Sequence, residues 1–183
     1  LPGGEAHEVQ LDARGLLDSR ARLIGDRAGD ADNVQCHTRG ALAATSGYHT
    51  IAISRGKDKE ELALRLGAAR YLGTDTTDAA KELARLGGAR VILATAPNSK
   101  AISTLVDGLG VDGAIVVLGA SPEPITVSPF QLIGQRRTVR GWPSGTSRDS
   151  EEALAFCSQS GVRPMIERFP LARGRARWHR RAA

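Results

Sequence analysis

Gly47-Tyr48-His49-Thr50-Ile51-Ala52-Ile53-Ser54-Arg55-Gly56-Lys57-Asp58-Lys59 is the stretch that decides the fold. Tyr48 to Ile53 is rich in β-branched residues and reads as a short strand. Ser54-Arg55-Gly56 stops it. A helix is expected from Asp58 to Leu66, with Leu62, Ala63, Leu64 and Leu66 on its apolar side and Lys59, Glu60, Glu61 and Arg65 on its polar side. Gly67 is placed as the helix stop. A strand followed directly by a helix opens a βαβ unit.

The pattern then repeats. Ala69 to Leu72 is a brief strand ended by Gly73-Thr74-Asp75, and Thr77 or Asp78 caps a helix over Ala79 to Leu86. Arg90 to Thr95 is a continuous apolar run, the mark of a parallel strand covered on both faces. Ala96-Pro97-Asn98-Ser99 makes a turn and cap, and Lys100 to Leu109 carries Ile102, Leu105, Val106 and Leu109 at helical spacing. Val111-Asp112-Gly113 reads as a turn before a second buried strand, Ala114 to Leu118. Beyond Gly119 the alternation changes. Ile125 to Val127 is expected as a short strand, Ser128-Pro129 as the start of a helical turn through Ile133, and Arg137 to Gly141 as another strand. Ser147 or Asp149 caps a helix through Phe156, and Val162 to Glu167 is a short extended piece. The alternation from Tyr48 to Leu118 predicts an α/β fold with a doubly wound parallel sheet and right-handed crossovers.

The flanks differ from this core. Residues 1–46 are glycine-punctuated and poorly patterned, and no role is assigned to them. His7 and His37 are isolated and read as exposed polar residues. The net charge of +5 sits entirely in Arg173, Arg175, Arg177, Arg180 and Arg181, so residues 1–172 are formally neutral. This tail, residues 172–183, reads as a solvated end, and nucleic acid is not expected as a partner. Cys36 and Cys157 have neither zinc-site nor disulfide spacing, which suits a reducing cytoplasm. No apolar run approaches the roughly 20 residues of a membrane helix, and no signal peptide is visible.

Ligands of open parallel sheets lie beyond the carboxyl ends of the strands. Three such ends can be named: Ser54-Arg55-Gly56 with Lys59, then Ala94 to Pro97, then Leu118-Gly119-Ala120. In a nucleotide-binding sheet the end of the second strand meets the adenosine ribose, where an acidic residue holds the free 2′-hydroxyl. A hydroxyl, a guanidinium and an ammonium stand there instead, a set that suits a 2′-phosphate. Small residues at the other two ends let a flat ligand pass close to the backbone.

The order of these segments resembles the cofactor-binding, Rossmann-like domain of zinc-type medium-chain alcohol dehydrogenases, in particular the NADP-preferring cinnamyl-alcohol-type members. The matching stretches are Ile51 to Arg55 with Lys59 to Ala63, Leu66-Gly67-Ala68, Val91 to Asn98, Gly113 to Ala120, Arg140 to Thr146 with Arg148-Asp149, and Val162 to Glu167. The resemblance spans residues 47–171. It implies that Ser54, Arg55 and Lys59 hold the 2′-phosphate of NADP, with NAD as the alternative cofactor. Thr95 and Ala96 would flank the riboses, Leu118, Gly119 and Ala120 would line the nicotinamide, and Ser144 and Gly145 would approach it from the following turn. It also implies a homodimer joined through edge strands at 125–127 and 138–141.

The chain departs from that family in three places. The stretch Arg39 to Ser46, taken as the equivalent of the pyrophosphate-binding turn, lacks the Gly-x-Gly-x-x-Gly pattern. Residues 1–46 lack the cysteine, histidine and acidic ligands of the family's catalytic zinc, so no metal ligand and no catalytic residue is assigned. The arginine-rich tail stands where a helix and strand close the family's domain. These departures lead to the expectation that the sheet is incomplete at its N-terminal strand and C-terminal end. They also suggest that residues 1–46 and 172–183 do not descend in frame from the family. The chain is then expected to be the NADP-binding part of an oxidoreductase, incomplete in catalysis alone. The alternative is a non-catalytic nucleotide-binding or regulatory module.

Overall fold

The computed structural model describes residues 41–143 and 145–163. The expectations for Val9 to Leu17, His7, His37, Cys36, Ser144, the arginine tail and the extended piece beyond Arg163 therefore lie outside the described residues.

Among the described residues, five strands and six helices follow one another from residue 41. A short helix α1 covers residues 41–45. Then come β1 (Ile51–Ser54), α2 (Glu60–Arg65), β2 (Arg70–Gly73), α3 (Ala79–Arg85), β3 (Ala89–Ala94) and α4 (Ser99–Leu105). A single 3₁₀ turn over Val106–Gly108 leads into β4 (Leu109–Val117), α5 (Pro129–Ile133), β5 (Thr138–Gly141) and α6 (Ser147–Ser160). All strand pairs are parallel, with β1 beside β2 in one sheet and β3, β4 and β5 in order in the other. The fold is Rossmann-like α/β.

The period-two geometry of a strand explains why the apolar runs are continuous. Ala89, Ile92 and Ala94 of β3 and Ile115 of β4 face one core, which includes Leu83 of α3 and Ile102 and Leu105 of α4. Val91 and Val116, with Leu93 and Leu118 beside them, face the other side, where Ala43 of α1 is buried. Ile51, Ile53 and Leu72 of the first sheet join the larger core, so one apolar cluster spans both sheets. Each fully buried side chain of this kind contributes about 1.5–3 kcal/mol relative to exposure.

Caps set most boundaries. Asp78 accepts from the Lys81 N–H at 3.1 Å and opens α3, and Asn98 accepts from the Ala101 N–H at 3.0 Å and opens α4. Gly67, at φ +95°, ends α2 in the left-handed region as expected. The cap of α6 is Thr146 rather than Ser147 or Asp149. Its hydroxyl and the Asp149 carboxylate form a reciprocal capping box.

Five expectations require correction. Arg39 to Ser46 is not the equivalent of a phosphate turn, because residues 41–45 are helical and Ala43 is buried against the sheet. Leu62, Leu64 and Leu66 do not form one buried face. Their spacing of two splits them around α2, leaving Ala63 buried and Leu64 exposed. Leu109 belongs to β4 and not to the preceding helix. Val111-Asp112-Gly113 is an irregularity inside β4: the register jumps from Ala89↔Leu109 to Val91↔Ala114. Asp112 takes φ +56° there, and Arg136, at φ +51°, grips its carboxylate with two bonds of 2.7 Å. Finally, residues 125–127 form no strand. The Thr126 N–H donates to Ser103 Oγ at 3.0 Å, while Ile125 and Val127 pack on the core.

Candidate functional site

The loop after β1 is the most constrained of the three strand ends. Ser54 is buried, and its hydroxyl oxygen has no hydrogen-bond partner among the described residues. A buried polar atom left unpaired is costly unless something else satisfies it. The Ser54 carbonyl accepts from the Thr74 N–H at 3.0 Å, which ties the loop to the end of β2. Arg55 is exposed. The Lys59 side chain is only 13% exposed, and its ammonium donates to the Arg55 carbonyl at 3.3 Å and lies 3.5 Å from the Asp58 carboxylate. Gly56 between them has φ +70°, and a Cβ there would stand 2.8 Å from Asp58 Oδ1. The left-handed φ therefore favours glycine at this turn, while the flexible Asp58 side chain could move aside for a Cβ.

Two further residues hold this loop that the sequence did not suggest. Asp75 Oδ2 accepts from the Gly56 N–H at 2.7 Å, and the Tyr71 hydroxyl donates to the Gly56 carbonyl at 2.8 Å. Both lie on or just after β2, 19 and 15 residues away, so no local pattern marks them.

The ends of β3 and β4 meet without side chains between them. The Leu118 and Gly119 N–H groups donate to the Ala94 carbonyl at 2.9 and 3.0 Å. A Cβ on Gly119 would stand 2.5 Å from the Thr95 carbonyl oxygen and 2.6 Å from the Ala96 carbonyl carbon. Thr95, Ala96, Leu118 and Gly119 are thus brought together at one sheet edge, with Ala120 exposed just beyond. Ala96 is buried. Gly145 sits at the start of α6, against Asp149. The turn leading to it is fixed by the Trp142 N–H, which donates to the Val117 carbonyl at 3.0 Å, and by Arg140, whose guanidinium lies 5.4 Å from the centre of the Trp142 ring. Ser54, Arg55 and Lys59 stand on the first sheet and the other named positions on the second.

Of the titratable groups with shifted behaviour, Asp149 stands beside Gly145 and the others lie away from these loops. The Arg136 guanidinium holds the Asp112 carboxyl below the usual range, and Arg85 does the same for Glu82. The Lys81 N–H lowers Asp78, and the Thr146 hydroxyl lowers Asp149. Among the described residues no group of three or more His, Cys, Asp and Glu side chains is placed to hold a metal ion. The described residues do not fit a catalytic zinc. Among the same residues no helix is long and apolar enough to cross a membrane.

Residues 37–159 match the family described as zinc-binding dehydrogenase. The match takes in residues 37–46, which the sequence reading placed outside the domain. An alcohol dehydrogenase of Aspergillus sp. (strain MF297-2) is 37% identical over 155 residues, covering 82% of this chain and 45% of that protein. An NADP-dependent alcohol dehydrogenase of Mycolicibacterium smegmatis is 34% identical over 131 residues, covering 72% of this chain and 37% of its own length. Among solved structures, a cinnamyl alcohol dehydrogenase from Sorghum bicolor superposes with a TM-score of 0.71 at 24% identity, covering 87% of this chain and 44% of that one. The chain spans less than half the length of these relatives.

Proposed function

Because the chain belongs to the zinc-binding dehydrogenase family, we propose that it is the dinucleotide-binding part of an alcohol-dehydrogenase-type oxidoreductase and that its cofactor is NADP. The observation that carries this reading is the buried, unpartnered hydroxyl of Ser54, set at the carboxyl end of a parallel strand beside Arg55 and Lys59. A phosphate oxygen would satisfy that hydroxyl, and the two cations would neutralise its charge. The relative named as NADP-dependent supports the same choice. The relatives named above are all dehydrogenases and lend no support to a free-standing regulatory module.

The cofactor, when bound, supplies the hydride chemistry. The chain's own work is binding and orientation. Ser54, Arg55 and Lys59 receive the 2′-phosphate. Thr95 and Ala96 flank the riboses, and the absence of a side chain at Gly119 lets the loop after β4 pack directly on the Thr95 and Ala96 backbone that borders the flat ring. Leu118 and Ala120 line the same surface, and Ser144 and Gly145 border it from the turn after β5. A homodimer through β5 (138–141), an edge strand among the described residues, belongs to the same reading.

Fluorescence titration of the full chain with NADPH and NADH tests the proposal. Tighter binding of NADPH, weakened about ten- to a hundredfold by Arg55→Ala, is the expected result, since a charge-assisted hydrogen bond is worth roughly 1.5–3 kcal/mol. Equal affinity for the two cofactors, unchanged in that variant, would remove the assignment.

A further inference from the structure

Gly56 is held by both of its backbone groups, and both holders are side chains of the neighbouring strand and its turn. The Asp75 carboxylate takes its N–H at 2.7 Å and the Tyr71 hydroxyl reaches its carbonyl at 2.8 Å. Backbone groups in an exposed turn ordinarily face water. Here they are clamped at the residue that separates Arg55 from Lys59 and follows Ser54 by two positions. Gly73 of β2 lies beneath, and a Cβ on it would stand 3.2 Å from the Gly56 carbonyl oxygen, so the loop rests closely on the strand.

We propose that Tyr71 and Asp75 are positioning residues that set the selectivity of this chain for a 2′-phosphorylated dinucleotide, by fixing Gly56 and with it the hydroxyl and two cations on either side. The inference rests on the reading that Ser54, Arg55 and Lys59 receive that phosphate. Neither residue touches the phosphate in this account. Their effect is to hold the loop before the ligand arrives, so that binding does not have to order it. Asp75 also brings a negative charge close to an anion site. Its value must then lie in the geometry of its hydrogen bond and not in its charge. An uncharged acceptor of the same shape preserves the first and removes the second.

Dissociation constants for NADPH and NADH are measured by fluorescence on the full chain, with the melting temperature recorded for each variant. Tyr71→Phe and Asp75→Ala are expected to weaken NADPH binding about three- to tenfold, as for the loss of one hydrogen bond, with NADH binding changed less than twofold. Asp75→Asn is expected to restore NADPH affinity to the wild-type value or better. Arg55→Ala serves as the reference for the phosphate site itself. If Arg55→Ala abolishes the NADPH preference while Tyr71→Phe and Asp75→Ala leave it intact, the positioning role is wrong and the phosphate site stands. If the two variants weaken both cofactors equally, their role is general support of the fold and the inference fails. If the wild type shows no NADPH preference, the phosphate reading and the inference fall together.

Discussion

The loop after β1 and the paired loops after β3 and β4 solve opposite problems. The first presents charge. Arg55 is exposed, with Ser54 and Lys59 folded in beside it, on a glycine turn that neighbouring side chains pin on both sides. The second presents nothing at all. Gly119 lies so close to the Thr95 and Ala96 backbone that a methyl group does not fit. One loop is built from side chains that attract and the other from backbone packed too closely to admit one, and the two stand at the ends of different sheets. The difference teaches that the two ends should fail differently when altered.

The largest expected effect comes from forcing a side chain into that backbone contact. Gly119→Ala places a Cβ against backbone atoms that have no rotamer to escape through, so it is expected to cost about 2–3 kcal/mol of stability. That corresponds to a melting temperature lower by roughly 4–12 °C in a chain of this size, measured by differential scanning calorimetry. A melting point within a degree of wild type would show that this junction is looser than its geometry indicates. Gly56→Ala comes next. Its left-handed φ costs an alanine roughly 1–2 kcal/mol, but the atom it meets is the end of the flexible Asp58 side chain, which can move. The variant should remain folded and lose NADPH affinity more than NADH affinity. Equal losses would erase the distinction between the two loops.

Salt offers a gentler test. Raising sodium chloride from about 0.05 M to about 0.5 M shortens the screening length well below 10 Å. NADPH binding should weaken several-fold and NADH binding less than twofold, because only the first uses the charged loop. The smallest effect concerns acid. The Asp78, Glu82, Asp112 and Asp149 carboxyls are all held below their ordinary values in the folded chain. Their contribution to stability is therefore present above those ordinary values, 3.8 for the aspartates and 4.5 for the glutamate, and is lost as pH falls through the lowered ones. Chemical denaturation between pH 6 and pH 3 should show a shallow decline beginning below about pH 4.5. A rise in stability over that interval would contradict the sign.

Much of this was legible in the sequence, and the reasons can be given residue by residue. Tyr48 to Ile53 announced a strand by its β-branched residues, and Arg90 to Thr95 and Ala114 to Leu118 announced buried strands because both of their faces are covered, which needs unbroken apolar runs. Gly67 and Asp78 announced helix ends because caps act within a few residues. What stayed hidden depends on partners far along the chain. Asp112 looked like a turn residue because its support, Arg136, is 24 positions away. Ile125 to Val127 looked like a strand because nothing local shows that Ser103 takes the Thr126 N–H. The phosphate-loop candidates Ser54, Arg55 and Lys59 were visible as residue types after a strand. Tyr71 and Asp75 were not, since their only mark is a hydrogen bond to a glycine on the neighbouring strand's loop. The stretch at 41–45 looked like the place of a turn because it stands directly before the first strand, whereas its small side chains let a helix lie close to the sheet. Ala44 there comes within 2.8 Å of where a Cβ on Gly67 would be.

The apolar cluster that runs from Ile51 through Leu83 to Ile115 disregards the break in hydrogen bonding between the two sheets. Its consequence appears in the exchange of amide hydrogens. Breaking the cluster at any point exposes residues of β1, β2, β3 and β4 together, so their slowest amides should report a single opening free energy. Two pieces of sheet that share no ladder among the described residues then melt as one cooperative unit.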